Sequence, residues 1–195
     1  MRRLIGALIA LAVAIALVVG LTQAGGRDTD SGTAAAAPFH LESALARLRG
    51  APAPLAALHR QANTLLDGGK AQLQKRLQGL RGHPVVINKW ASWCTPCRAE
   101  FPVFEQVATQ RGRRVAFLGI DAQDKAPAAE KFLAARPLPY PSFQDPDQSL
   151  SRSLKTPDVA PVTVFLDAHG KTAFIHSGQY TSAKQLNTDI DRYIG

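Results

Sequence analysis

The two cysteines of the chain, Cys94 and Cys97, lie within the segment WASWCTPCR. A β-branched run precedes this segment, and a helix is predicted to begin near Pro96, a residue suited to a first helical turn. Cys94 therefore lies at a helix N-terminus, where unpaired backbone N–H groups and the helix dipole favour its thiolate. Cys97 lies one turn inside the helix and can reach back to displace a partner bound to Cys94. The pattern predicts a redox-active pair in which Cys94 attacks and Cys97 resolves.

Other uses of two cysteines fit the sequence less well. A structural disulfide gains little from closing so short a loop, because the loop entropy that it removes is small. A metal site needs two further ligands, and the five histidines show no paired spacing. Haem attachment needs a histidine directly after the second cysteine, where this chain has Arg98. We therefore predict no metal and no other cofactor.

The elements around the pair are those of an α/β domain. Short β-branched runs predict strands at 84–88, 114–120, 161–167 and 171–176. Apolar residues at helical spacing predict helices at 96–110, 126–136 and 182–194. This order of strands and helices implies a mixed sheet with helices on both faces.

Two helical candidates precede this domain, at about 40–49 and about 54–80, the second interrupted by Gly68-Gly69. Their leucines would be exposed unless the helices packed on the domain. Residues 22–38 are rich in Gly, Thr, Asp and Ala without periodicity, which is typical of a flexible linker. The predicted organisation is a membrane segment at 1–21, a linker at 22–38, a helical extension at 39–80 and a domain at 81–195.

The first residues indicate export. Residues 4–21 form an uncharged apolar run of 18 residues behind Arg2 and Arg3. At about 1.5 Å per residue this run reaches about 27 Å, just enough to cross a hydrocarbon core. We expect an uncleaved anchor with the domain outside the cytoplasm, because the run exceeds the usual signal-peptide core of about 7–15 residues. Cleavage near Ala24 and secretion is the alternative, and either outcome places the cysteines in an oxidising compartment.

Composition excludes several classes of protein. A chain of 195 residues, 46% of them hydrophobic, is too short for a multidomain enzyme and too apolar to be disordered throughout. The net charge of +8 is spread thinly, and no run of Lys and Arg exceeds two residues. Without a concentrated basic face, we expect no nucleic-acid partner.

Further motifs accompany the cysteine segment. They are RVAFLGIDAQD, YPSFQDPDQSL, APVTVFLDAHGK and SGQYTSAKQL. With these motifs, residues 82–195 resemble the thioredoxin superfamily and, more closely, the membrane-anchored TlpA/ResA-type thiol–disulfide oxidoreductases of bacteria. The resemblance implies a thioredoxin-like mixed β-sheet with flanking helices. It also implies a cis-proline at Pro161 that faces the active site, with the backbone of Ala160 pairing with a client chain. The shallow apolar groove would be lined by Trp93, Pro96, Ala160, Pro161 and Gly178.

The chain departs from the thioredoxin pattern at two positions. Where typical thioredoxins have a glycine, this chain has Thr95, and where they have a buried aspartate, it has Asn88. The Asn88 amide cannot accept a proton as that aspartate does. The resemblance to ResA-like proteins implies an acidic residue after the second strand, for which Asp124 aligns best and Asp121 is the alternative. A carboxylate near a buried thiol can act as a general base, with its own pKa raised by desolvation. Capping the next helix is the other role open to these aspartates.

The resemblance implies an enzyme that exchanges thiols and disulfides with exported proteins. The chain is most similar to reductases that keep such thiols reduced, including the haem-attachment thiols of cytochrome c apoproteins. The resemblance implies that a membrane-embedded donor supplies the electrons. A disulfide-forming oxidant uses the same residues and differs in reduction potential. A thiol peroxidase and a non-catalytic assembly factor that binds apoproteins are the remaining alternatives.

Overall fold

A computed structural model describes residues 39–195 of the chain. The predicted membrane segment at 1–21 and linker at 22–38 lie outside the described residues. Within 39–195, no helix is long and apolar enough to cross a membrane.

Strands of the described residues form one six-stranded sheet. They are β1 (Leu65–Leu66), β2 (Val85–Trp90), β3 (Ala116–Ala122), β4 (Ser142–Asp145), β5 (Val162–Leu166) and β6 (Thr172–Ser177). Their order across the sheet is β1-β4-β3-β2-β5-β6. Strands β1, β4, β3 and β2 are parallel to one another, whereas β5 runs antiparallel to both β2 and β6. The predicted mixed sheet is confirmed.

Helices cover both faces of this sheet. They are α1 (Leu41–Arg47), α2 (Ala53–His59), α3 (Gly69–Gly79), α4 (Thr95–Arg111), α5 (Ala126–Ala135), α6 (Ser149–Ser153) and α7 (Ala183–Tyr193). Side chains of β2 alternate between two cores, as the period of a strand requires. Val86 and Trp90 pack with apolar residues of α4, α5 and α7, whereas Val85 and Ile87 pack with those of α2, α3 and α6.

Residues 54–80 do not form the interrupted helix that the leucine spacing predicts. Helix α2 ends at His59, and Asn63 then adopts a left-handed backbone conformation with φ 58°. Leu65 and Leu66 then pair in parallel with β4 and add a short edge strand. The leucines of α2 and α3 are buried in the core on that face of the sheet, so this segment packs on the domain. An apolar pair reads equally well as helix or strand, which is why periodicity alone misassigned it.

The stretch between α5 and β5 holds two elements that the sequence did not predict, β4 and α6. Asp145, at the end of β4, fixes the start of α6. Its two carboxylate oxygens accept hydrogen bonds from the backbone N–H groups of Leu150 at 2.9 Å and Ser151 at 2.8 Å. Four prolines between 137 and 146 hide this strand from pattern analysis.

Candidate active site

The cysteine pair lies between the end of β2 and the start of α4. Cys94 is the N-cap residue of α4, and its sulfur accepts a hydrogen bond from the backbone N–H of Cys97 at 3.3 Å. The two residues are joined as a disulfide, with their Cα atoms 5.3 Å apart. Cys94 is 3% exposed and Cys97 is fully buried. Cys94 is therefore the slightly more exposed residue of the pair, which is consistent with its predicted attacking role.

Two tryptophans frame the pair and differ in environment. Trp90 is fully buried, packs edge-on against Phe101 and donates a hydrogen bond from Nε1 to the Ser142 hydroxyl at 3.1 Å. Trp93 is 58% exposed and donates from Nε1 to the backbone carbonyl of Gln123 at 2.9 Å. Trp90 is a core residue, whereas Trp93 presents an apolar ring to solvent directly before Cys94.

The segment before β5 carries the predicted proline. The Ala160–Pro161 peptide bond is cis, and the Pro161 carbonyl accepts a hydrogen bond from the N–H of Gly178 at 3.0 Å. Gly178 has φ 111°, a conformation that favours glycine. Ala160 packs against the core cluster that contains both cysteines. Because β5 pairs with β2, the structure brings this segment beside the loop that carries Cys94.

Asp124 is hydrogen-bonded to the loop that precedes Cys94. One carboxylate oxygen accepts a hydrogen bond from the backbone N–H of Ser92 at 2.6 Å, and the other from that of Lys125 at 2.8 Å. Asp124 therefore ties the end of β3 to the turn before Cys94. Its role as a base for Cys97 stays a prediction.

Asp121, the alternative acid, is a buried carboxyl at the end of β3, opposite Trp90 in the strand ladder. Desolvation raises its pKa to about 8, with further contributions from the neighbouring charges of Asp124 and Asp145. One of its oxygens has no hydrogen-bond partner within the described residues. A proton on Asp121 removes the cost of a buried charge.

Glu100 is an acid to which the sequence pattern alone assigned no role. It follows Cys97 by three positions, so both side chains lie on one face of α4. Its buried carboxylate accepts hydrogen bonds from the Asn88 side-chain amide at 2.7 Å and the Tyr180 backbone N–H at 3.0 Å. Desolvation outweighs both bonds and raises the pKa of Glu100 to about 7. The spacing from Cys97, together with an amide on the facing strand, was the signal that could have identified it.

The Redoxin family model matches residues 49–190. The chain belongs to the Redoxin family. It is 33% identical to the thiol:disulfide interchange protein DsbE of Yersinia pestis over 170 residues, 86% of this chain and 79% of that protein. It is 32% identical to DsbE of Escherichia coli K12 over 176 residues, 90% of this chain and 84% of that one. A match to DsbE of Pseudomonas fluorescens biotype C is 41% identical but spans 92 residues, 49% of that protein.

Solved structures similar to this Redoxin protein share its fold. A thiol:disulfide interchange protein DsbE from Chlorobium tepidum aligns with a TM-score of 0.56 and 27% identity, over 61% of this chain and 85% of that one. A secreted Mycobacterium tuberculosis disulfide oxidoreductase, homologous to E. coli DsbE, aligns with a TM-score of 0.53 and 26% identity, over 59% and 85%. The TlpA/ResA-type resemblance and the thioredoxin-like sheet are confirmed.

These observations establish the chemistry of this Redoxin protein. It is a thiol–disulfide oxidoreductase that acts on protein thiols and disulfides through Cys94 and Cys97. The relatives are named for disulfide interchange, so peroxidase activity and a purely binding role are not favoured. An acid with a pKa of about 7 one turn from Cys97 can hold or release a proton at neutral pH, which is what resolution by a buried thiol requires.

Proposed function

We propose that this protein is a reductase of disulfides in exported proteins, held at the outer face of the cytoplasmic membrane by residues 1–21. Cytochrome c apoproteins are candidate clients, and a membrane-embedded dithiol protein is the electron donor. The apolar run and the preceding arginines support the anchor. Secretion after cleavage near Ala24 is the alternative, and the mass of the mature protein recovered from membranes distinguishes the two.

The reducing direction is carried by the charges around the sulfurs. Glu100 lies on the helix that carries Cys97, and Asp121 and Asp124 lie at the end of β3, which pairs with the strand that precedes Cys94. A carboxyl is either neutral or negative, and in neither state does it supply the positive charge that stabilises a thiolate. Arg98, the cation adjacent to Cys97, lies with its guanidinium 5.6 Å from the centre of the Phe132 ring. Oxidants of this fold class owe their potential to a stabilised reduced form. A site rich in carboxyls lacks that stabilisation, so its disulfide is the favoured form and its dithiol donates electrons.

The proposed reaction moves two electrons from the protein to the client. The Cys94 thiolate attacks one client sulfur, which forms a mixed disulfide and releases the other client sulfur as a thiolate that takes up a proton. Glu100 then accepts the proton of Cys97, whose sulfur attacks Cys94 and expels the second client thiolate. The client gains two thiols, and the Cys94–Cys97 disulfide is reduced again by the donor dithiol.

The client chain is proposed to lie in the groove formed by Trp93, Pro96, Ala160, Pro161 and Gly178. Among the residues that the structure describes, the backbone of Ala160 makes no hydrogen bond to other backbone groups, so it can pair with an extended chain, as in strand addition to a sheet. The exposed ring of Trp93 offers apolar contact beside Cys94. Replacement of Cys97 by serine should trap clients as mixed disulfides at Cys94, and the double variant with Cys94→Ser should trap none.

Equilibration of the full chain with graded thiol–disulfide buffers tests the direction. We expect a reduction potential below about −250 mV, in the range of reductases. A value near about −120 mV would instead make the protein an oxidant.

A further inference from the structure

Lys89 is a buried lysine that the proposed reaction does not use. It lies in β2, five positions before Cys94, and is 2% exposed. Its ammonium donates hydrogen bonds to the side-chain oxygen of Gln148 at 3.0 Å and to the backbone carbonyl of Pro157 at 3.0 Å. Lysine is rarely buried without a partner, because desolvation of the charge is costly. A lysine held in the core by two hydrogen-bond acceptors therefore requires an explanation.

The two contacts of Lys89 bracket the cis-proline segment. In the ladder between β2 and β5, Lys89 lies opposite Val162, the residue directly after Pro161. Its side chain reaches the carbonyl of Pro157, four positions before Pro161. The residue therefore contacts the chain on both sides of residues 158–160, once through the backbone and once through the ammonium.

Gln148 accepts a hydrogen bond from the Lys89 ammonium at a position that the fold holds in place. It is buried, adopts a left-handed conformation with φ 60° and is the N-cap residue of α6. Its backbone N–H donates to the carbonyl of Asp145, whose carboxylate in turn fixes the first turn of α6. The position of the ammonium is thus set by β2, β4 and α6, so the Pro157 carbonyl is held by the frame of the sheet.

The residues between these contacts have little other support. Pro157, Asp158 and Val159 are exposed, and Val159 has 54% of its surface in solvent. Their backbone makes no hydrogen bond to the backbone of another described residue apart from local turns. Burial lowers the pKa of Lys89, whereas the nearby charges of Asp158 and Asp145 raise it. The charge of Asp158, which lies in the same segment, therefore attracts the Lys89 ammonium.

We propose that Lys89 is a positioning residue that holds residues 157–160 against the active-site strand and so sets the affinity for the client polypeptide. The inference rests on the proposed function, in which the client pairs with the backbone of Ala160. A segment that is ordered before the client arrives costs less conformational entropy on binding. Lys89 touches neither sulfur, so loss of its ammonium should weaken client binding without slowing the chemical step.

The test compares Lys89→Met with Gln148→Met in the full chain. Both variants break a hydrogen bond of the same ammonium, but only Lys89→Met frees the Pro157 carbonyl. The substrate is a synthetic peptide with one internal disulfide. The rate at which iodoacetamide alkylates Cys94 in the reduced protein measures thiolate reactivity and does not depend on binding of a client in the groove. We expect Lys89→Met to raise KM about fivefold with kcat and alkylation within about twofold of the original protein. Gln148→Met keeps the bond to Pro157 and should raise KM by less than about twofold.

Hydrogen exchange of the amides at 158–160 is the second readout. We expect faster exchange in Lys89→Met and a clearly smaller increase in Gln148→Met. If Lys89→Met does not fold, Lys89→Leu combined with Gln148→Leu replaces the polar pair by apolar side chains and should show the same rise in KM and in exchange.

Two results would overturn the role of Lys89: an unchanged KM with unchanged exchange in Lys89→Met, or an equal rise in KM in Gln148→Met. Failure of the original protein to reduce the peptide would contradict the proposed function instead. The exchange measurement would then still decide whether Lys89 holds the segment.

Discussion

At the scale of single residues, the site combines two sulfurs with buried acids whose pKa values are raised. Cys94 and Cys97 could be assigned from the sequence because their spacing, the proline between them and the helix after them all indicate one chemistry. Glu100 could not, because its importance comes from burial and from the Asn88 and Tyr180 contacts that only the fold creates. Burial in three dimensions changes a common surface residue into a group that titrates near neutral pH.

Glu100→Gln tests the proton acceptor for Cys97. Glutamine keeps the size of the side chain but cannot take a proton, so Cys97 must ionise unaided. We expect the rise of kcat with pH to move from near pH 7 towards the ordinary thiol pKa of about 8.5, with a loss of about 10²-fold at pH 7. The pH profile of peptide-disulfide reduction measures this. Glu105→Gln, a buried acid on the same helix, is the control, and a profile unchanged in Glu100→Gln would exclude the role.

Asp121 makes stability depend on pH. Its folded pKa of about 8 lies above the ordinary value of 3.8, so its contribution to stability is fully present below 3.8 and is lost as the pH rises through 8. Asp121→Asn removes this loss. We expect the variant to exceed the original protein in free energy of unfolding at pH 9 by at least about 1.4 kcal/mol, the equivalent of one pKa unit, and by less at pH 5.

Denaturant unfolding at both pH values measures the effect of Asp121→Asn. The exposed Asp147, whose pKa is lowered by hydrogen bonds from Ser149, supplies the control as Asp147→Asn. That variant should show no gain at pH 9. A gain for Asp121→Asn that is equal at pH 5 and pH 9 would show that its ionisation is not the cause.

At the scale of elements, the sequence predicted what lies next to the cysteines better than what lies at the edge of the sheet. Strands β2 and β3 each contain a short apolar run, at 85–87 and 116–120, so their type was evident. Strand β1 is only Leu65–Leu66 and gains its identity from pairing with β4, a long-range contact that no local pattern contains. Strand β4 lies among prolines, and its pairing with β3 outweighs their signal for a loop.

Asn63 anchors the edge of the sheet and can be tested directly. Its side chain donates to the Leu133 carbonyl at 3.2 Å and accepts from the Leu138 N–H at 3.0 Å, while its backbone has φ 58°. Asn63→Ala removes both bonds and places alanine in a conformation that it disfavours. We expect a loss of about 1–3 kcal/mol in free energy of unfolding, measured with urea. Thr64→Ala, at the exposed neighbouring position, should lose far less free energy of unfolding. An equal loss in both variants would show that the two hydrogen bonds of the Asn63 side chain contribute nothing to stability.

At the scale of the whole molecule, the redox state of one pair of sulfurs is linked to the stability of the entire fold. The disulfide equilibrium constant in the folded protein, divided by that in the unfolded chain, equals the ratio of the folding constants of the oxidised and reduced forms. A strongly oxidising site is destabilised by its disulfide, because its reduced form is the more stable one. A reducing site has the opposite sign. The electrostatics around Cys94 and Cys97 therefore make a prediction about unfolding that needs no client.

We expect the oxidised protein to unfold at higher urea concentration than the reduced protein, with a difference of about 1–4 kcal/mol in free energy of unfolding. The reason is that the disulfide restricts the unfolded chain, and that carboxyls beside the sulfurs give the reduced form none of the thiolate stabilisation that reverses this effect in an oxidant. The full chain is unfolded with and without excess dithiothreitol, and the double variant Cys94→Ser/Cys97→Ser controls for effects of the reductant. A reduced form more stable than the oxidised one would reverse the proposed direction of electron flow, while leaving the exchange chemistry of the pair intact.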